Sequence, residues 1–188
     1  PGVCRTPTAW LLVDTSTRGY ARVPMALESA ADVAVGDVYN TGGAVAVFPV
    51  DRADGDDGVE IHLANGSRIF ESTAYQGASG VFVGDIDMDG DTDFAVANPD
   101  TNNVTLYRWN GAIAEPITFN THRAVTSLAM GLMAGDARHD LLGVSATGVV
   151  VLESDPAFTF IAPTSWDAGS SPSNIVVADF NDDGISDV

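Results

Sequence analysis

Val81-Phe82-Val83-Gly84-Asp85-Ile86-Asp87-Met88-Asp89-Gly90-Asp91-Thr92-Asp93-Phe94-Ala95-Val96-Ala97 sets two short apolar runs on either side of a nine-residue stretch that holds five aspartates. The runs are too short for helices and rich in β-branched and aromatic side chains, which predicts two strands joined by an acidic hairpin loop. The leading run has three counterparts, Val33-Ala34-Val35-Gly36-Asp37, Leu128-Ala129-Met130-Gly131-Leu132 and Ile175-Val176-Val177-Ala178-Asp179. The four loops begin at residues 37, 85, 132 and 179, spaced by 48, 47 and 47 residues. A period this regular marks structural repeats.

Outward from each loop the same order of strands recurs. Expected second strands are Ala44 to Phe48, Phe94 to Ala97 and Leu141 to Val144; expected third strands are Val59 to Leu63, Val104 to Tyr107 and Val149 to Leu152. The first two of these third strands run into Asn65-Gly66 and Asn110-Gly111, where positive φ is easily adopted and a type I′ turn is favoured; the third runs into Ser154-Asp155-Pro156. A last strand is expected near Ile69-Phe70, Ile117 to Phe119 and Phe158 to Ile161. Four strands per unit at this period predict an all-β fold of the β-propeller kind, in which radially packed small sheets protect their edges. The expected division is residues 1–32 as strands of an incomplete blade, 33–80, 81–127 and 128–174 as three blades, and 175–188 as the start of a fourth. Trp10-Leu11-Leu12-Val13 and Tyr20-Ala21-Arg22-Val23 read as strands of a blade that lacks its inner one. Either the two ends complete one blade, closing a ring or linking molecules by strand exchange, or the chain is a window on a longer propeller.

The acidic loops have the pattern of a metal site. In Asp85 to Asp93 the side chains at positions one, three, five and nine converge while Gly90 permits the sharp turn; Asp85, Asp87, Asp89 and Asp93 are the expected side-chain ligands, with the Asp91 carbonyl at position seven. Calcium suits this set, because it is a hard cation that takes six to eight oxygens from carboxylates and carbonyls in flexible geometry. Asp179-Phe180-Asn181-Asp182-Asp183-Gly184-Ile185-Ser186-Asp187 repeats the pattern with Asp179, Asn181, Asp183 and Asp187 as side-chain ligands and the Ile185 carbonyl at position seven. Two calcium sites are therefore expected. An EF-hand shares the opening but needs a Glu at position twelve and flanking helices; position twelve after Asp85 is Val96, and both flanks of the loop are expected strands. Magnesium demands a stricter octahedron and keeps its waters, and zinc is disfavoured by the lack of neighbouring His or Cys. Four or five carboxylates in nine residues repel one another strongly without a cation.

The other two loops have drifted. Asp37-Val38-Tyr39-Asn40-Thr41-Gly42-Gly43-Ala44-Val45 keeps only the first acid and is expected to bind nothing. The third loop offers Leu132, Ala134, Asp136, Arg138 and Asp140 at its odd positions, and Arg138 is expected to stand in for the cation by pairing with Asp136 or Asp140. Asp51 to Asp57 is acidic at the wrong spacing and reads as a solvated insertion.

Composition agrees with this reading and excludes others. The chain has 188 residues, 45% of them apolar, enough for a buried core. Its formal charge is −18, from 26 acids and 8 bases that are all Arg. Such a surface repels phosphate and excludes nucleic acid as a partner. Nine of the acids lie in the two aspartate loops. No apolar run approaches the roughly 20 residues of a membrane helix, so no membrane insertion is expected. The lone Cys4 forms no internal disulfide. With Pro1 at its start and Val188 just beyond an aspartate loop, the sequence reads as a processed or partial chain.

Strand, DxDxDG-x-x-D loop and strand at this period resemble the FG-GAP and VCBS repeats of integrin α-type propellers. The resemblance covers residues 33–188 and is specific at Asp85 to Asp93 and Asp179 to Asp187, with Val83-Gly84 and Val177-Ala178 in place of Phe-Gly. It implies calcium held between the first two strands of a blade, an extracellular or cell-surface location, and roles in adhesion, glycan recognition or scaffolding. The fold does not choose among these, and an accessory propeller domain of a larger secreted enzyme is a further alternative. Expected partners are other protein chains, self-assembly through the terminal strands, or glycans.

The remaining polar residues suggest no catalysis. Asn65-Gly66-Ser67 and Asn103-Val104-Thr105 are glycosylation triplets, Asn65 with a turn role as well. His62, His122 and His139 are scattered, with no nucleophile beside them, and Trp10, Trp109 and Trp166 are candidates for packing or for sugar stacking. No nucleophile–base pair or phosphate loop is present, so the chain is expected not to be an enzyme.

Overall fold

The computed structural model describes residues 9–15, 19–25, 31–52, 57–63, 65–72, 76–109, 111, 116–133, 136–155, 159–161 and 163–188. Cys4, Asn110, Ala134, Pro156, Phe158 and the middle of the 51–57 stretch lie outside them. Fourteen strands and one short 3₁₀ turn at Pro99–Thr101 make the described chain all-β. No helix in it is long and apolar enough to cross a membrane.

The strands β1 (Ala9–Thr15) and β2 (Gly19–Met25) pair as an antiparallel hairpin, Ala9 opposite Met25. Three antiparallel four-stranded sheets follow, each with its strands in chain order. The first holds β3 (Ala34–Gly36), β4 (Val45–Val50), β5 (Gly58–His62) and β6 (Arg68–Ser72). In the second are β7 (Gly80–Gly84), β8 (Asp93–Asn98), β9 (Asn103–Tyr107) and β10 (Ile117–Asn120). The third consists of β11 (Val125–Gly131), β12 (Asp140–Ser145), β13 (Gly148–Leu152) and β14 (Thr164–Asp167). Neighbouring strands connected by short loops satisfy one another's backbone groups, so each sheet closes its ladder locally.

Two expected elements differ. The last strand of the third sheet is β14, not Phe158 to Ile161. Among the described residues there, Ser154 bridges Phe160, and the Ile161 and Asp155 N–H groups donate to the Glu153 and Thr159 carbonyls. Phe160 meets Phe119 of the second sheet edge-on at 4.7 Å, and this contact draws the segment away from the sheet edge. At Ile175 to Ala178 the structure has a single bridge, Ala178 to Asp187, in place of a strand.

The sheets pack face to face, and side-chain alternation divides their cores. From β8, Phe94 and Val96 join Val45, Val47, Val59, Ile61 and Val81 between the first and second sheets. The intervening Ala95 and Ala97 join Leu106, Val125, Leu128, Leu141 and Val150 between the second and third. The middle sheet is thus buried on both sides, which is why β8 reads as a continuous apolar run. Stacking of Phe94 on Tyr107 at 4.5 Å adds to the first core.

First strands of successive units also adjoin. A Cβ on Gly36 would lie 2.3 Å from Val83, and one on Gly131 would lie 2.3 Å from Val177, so only glycine permits these approaches. Asp32, Ser79, Thr126 and Ser173, 47 residues apart in turn, line one cavity of about 450 Å³ at the start of these strands. The acidic loops lie at the strands' other ends.

Candidate metal centre

Each aspartate loop links the first two strands of a unit and is shaped by its own side chains. The loop Asp85 to Asp93 closes when the Gly90 N–H donates to Asp85 Oδ2 at 3.1 Å, the Asp89 N–H to Asp87 Oδ1 at 3.3 Å, and the Asp91 N–H to Asp89 Oδ1 at 2.8 Å. Gly90 has φ of 96° and Met88 φ of 61°. Position six thus needs glycine, as the sequence suggested, whereas the left-handed backbone at position four has no signal in a Met side chain.

Asp93, fully buried, is the clasp of the hairpin. Its Oδ2 accepts the N–H of Ile86 at 3.0 Å and of Asp87 at 3.3 Å, and its Oδ1 accepts that of Trp109 at 2.8 Å, beyond the third strand. The motif repeats: Asp140 accepts Met133 and Ser154 N–H groups, and Asp187 accepts that of Phe180 at 3.0 Å. This structural duty of the ninth position is separable from metal binding.

Ligand atoms of Asp85, Asp87 and Asp89 gather within 4.8 Å of one another. Oδ1 of Asp85 is buried and has no hydrogen-bond partner. Burial raises the Asp87 carboxyl above its ordinary value, and the Asp89 charge adds to this. Burial likewise pushes Asp93 up to about 6, against the Trp109 N–H and with a further push from Asp87. Crowded, partly desolvated carboxylates and an orphaned oxygen are the conditions that a hard divalent cation relieves. The residues therefore fit calcium: Asp85, Asp87 and Asp89 would hold it, with Asp93 and the Asp91 carbonyl as the further expected oxygens. The Asp91 side chain turns elsewhere and accepts a hydrogen bond from Asn40 of the first loop.

Asp179 to Asp187 has the same hydrogen-bond skeleton. Gly184 N–H donates to Asp179 at 2.8 Å, Asp183 N–H to Asn181 at 2.9 Å, and Ile185 N–H to Asp183 at 2.8 Å. Asp182 and Gly184 carry positive φ at positions four and six, as Met88 and Gly90 do. The exposed Asp179 carboxyl is held below its usual range, chiefly by the Gly184 N–H. Ser186 bonds to both backbone groups of Leu132, so this loop leans on the third.

In the first loop, Asp37 alone accepts the Thr41 and Gly42 N–H groups, and the Thr41 bond is the main cause of its lowered carboxyl pKa. Asn40 and Gly42 repeat the two positive φ angles. The loop backbone has outlived its acids. In the third loop Arg138 pairs with Asp136 and donates from Nε to the Ser154 carbonyl at 3.3 Å. Of the two expected partners it takes Asp136; Asp140 is committed to backbone donors.

The other candidates separate by burial. Asn103 is buried and its amide donates to Thr101, which leaves no room for a glycan, whereas Asn65 is exposed and caps the Ser67 N–H. His62 is buried against Glu60 at 3.1 Å and meets Phe48 edge-on, as a packing histidine does. His122 is exposed at a left-handed turn, and His139 is half-buried. Trp109 packs edge-on against Tyr39 at 5.6 Å, Trp10 lies in β1, and Trp166 is 65% exposed on β14.

No curated protein matches the chain. Among solved structures, one chain of the Photorhabdus luminescens Tc holotoxin pore is similar over 89% of this chain, at 16% identity and a TM-score of 0.39. This chain spans 8% of that chain's length. Residues 133–188, which hold the fourth loop and most of the third unit, match the FG-GAP-like repeat family.

Proposed function

We propose that this chain is a calcium-binding β-propeller module, extracellular or at the cell surface, with a structural, adhesive or assembly role and no catalysis of its own. The observation that carries the metal reading is the convergence of Asp85, Asp87 and Asp89 around a buried, unpartnered Asp85 oxygen. Its support is the same hairpin skeleton at Asp179 to Asp187, in the segment that matches FG-GAP-like repeats. The propeller reading is supported by three consecutive four-stranded sheets whose first strands adjoin. Calcium at these loops fastens the hairpins, and a cation that binds only the folded state adds about 2.7 kcal/mol at a hundredfold excess over Kd. Equilibrium binding with radioactive calcium tests the reading: two ions per chain are expected, and one after Asp89→Ala. No bound calcium in the unmodified chain would overturn it.

Glycan recognition is the second reading, favoured by Trp166. It stands exposed beside Asp167 over a groove of about 400 Å³ lined by Val149, Val151 and Ile185. A glycan array probed at millimolar calcium decides it; a blank array removes it.

A further inference from the structure

Arg108 is placed where a second cation would interfere with the first. It follows β9 directly, between Tyr107, stacked on Phe94, and Trp109, whose N–H is bound to Asp93. Both neighbours are anchored, so the backbone of Arg108 is fixed beside the loop. Its Nη1 lies 3.6 Å from Asp87 Oδ2, the oxygen of that carboxylate left free by the Asp89 N–H. The Asp87 side chain is nine-tenths buried and that of Arg108 two-thirds, and Arg108 Nε is buried without a partner. A guanidinium held in this way, with a donor unsatisfied, is poorly explained as a surface ion pair.

The third loop shows where such an arrangement leads. Arg138, at position seven, pairs with Asp136 at position five, and that loop has lost the acids of positions one and three. There the guanidinium has replaced the ion. The second loop keeps its acids and has its arginine on the neighbouring strand. The fourth loop, Asp179 to Asp187, carries no Arg or Lys of its own.

We propose that Arg108 is the counter-cation of the Asp85 to Asp93 loop: it compensates Asp87 when calcium is absent and competes with calcium for that carboxylate, so it sets the affinity of this site and preserves the hairpin without the ion. This rests on the calcium reading above. A fixed positive charge beside a ligand carboxylate weakens cation binding through repulsion that salt screens. The metal-free loop gains what the ion loses.

The test is calorimetric titration of calcium at low ionic strength into Arg108→Gln, with Asp183→Ala as common background so that only the second loop contributes. Arg108→Gln is expected to bind calcium about fivefold more tightly than the background protein, the scale of a partly exposed charge pair. It is also expected to melt earlier in chelator, while Arg108→Lys stays close to the background in both respects. A glutamine variant that folds only with calcium present supports the proposal as well. Equal or weaker calcium affinity in Arg108→Gln, or an unchanged melting point in chelator, overturns it and leaves the calcium reading standing. Absence of calcium binding in every variant and in the unmodified chain defeats both.

Discussion

On the proposed calcium reading, Asp93 serves structure and metal binding in opposite senses. Its carboxyl, raised by burial to about 6 from an ordinary 3.8, keeps a proton in the folded chain that the unfolded chain releases between these values. The contribution of Asp93 to metal-free stability is therefore fully present below about pH 4 and is lost as pH rises to about 6. Calcium needs the ionised form, so its stabilising effect shrinks below pH 6. Melting curves in chelator should rise on acidification from pH 7 to 5 while the calcium increment declines, and Asp93→Asn should flatten both trends. At position six, Gly90→Ala is expected to cost about 1 kcal/mol or more, because φ of 96° is strained for any side chain although nothing lies within 4 Å of the new methyl group. Chemical denaturation measures this directly. The gathering of the carboxylates at positions one, three and five was legible because their alternate spacing around Gly90 brings them to one side of the loop. The Asn40–Asp91 bond and the left-handed Met88 were not, since they depend on a neighbouring loop and on backbone shape.

At the scale of elements, β4, β8 and β12 were readable because both faces of each are buried, which leaves continuous apolar runs. β14 was not. Thr164-Ser165-Trp166-Asp167 is exposed throughout, an edge strand without an apolar pattern, while the more apolar segment around Phe160 packs outside the ladder. The hairpin clasp is likewise invisible from one loop and emerges from three: Asp93, Asp140 and Asp187 each accept the N–H of position two. Asp140 isolates the clasp from the proposed metal, because its loop lacks the acids of positions one and three and pairs Arg138 with Asp136. Asp140→Ala orphans the Met133 and Ser154 N–H groups and is expected to cost about 2–4 kcal/mol. The loss should be the same in calcium and in chelator; a calcium-dependent loss would mean that the third loop also binds the ion.

The whole molecule is a row of sheets that share faces, so its stability is mostly a matter of neighbouring units. The 47-residue period revealed the row, but the chain's regularity did not show how tightly the units meet. Gly131 measures that: its missing side chain admits Val177, and a Cβ there would also lie 2.9 Å from Ser186. Gly131→Val should displace the fourth loop from the third and weaken one calcium site while sparing the other, which a two-site titration resolves. On the proposed reading both acidic loops fasten a scaffold whose apolar cores lie between sheets. The most direct test of this account is thermal melting of the unmodified chain in excess calcium and in chelator. At a hundredfold excess over Kd each site should raise the melting temperature by about 5–10 °C. Superimposable melting curves, with no calcium retained by the folded chain, would contradict it.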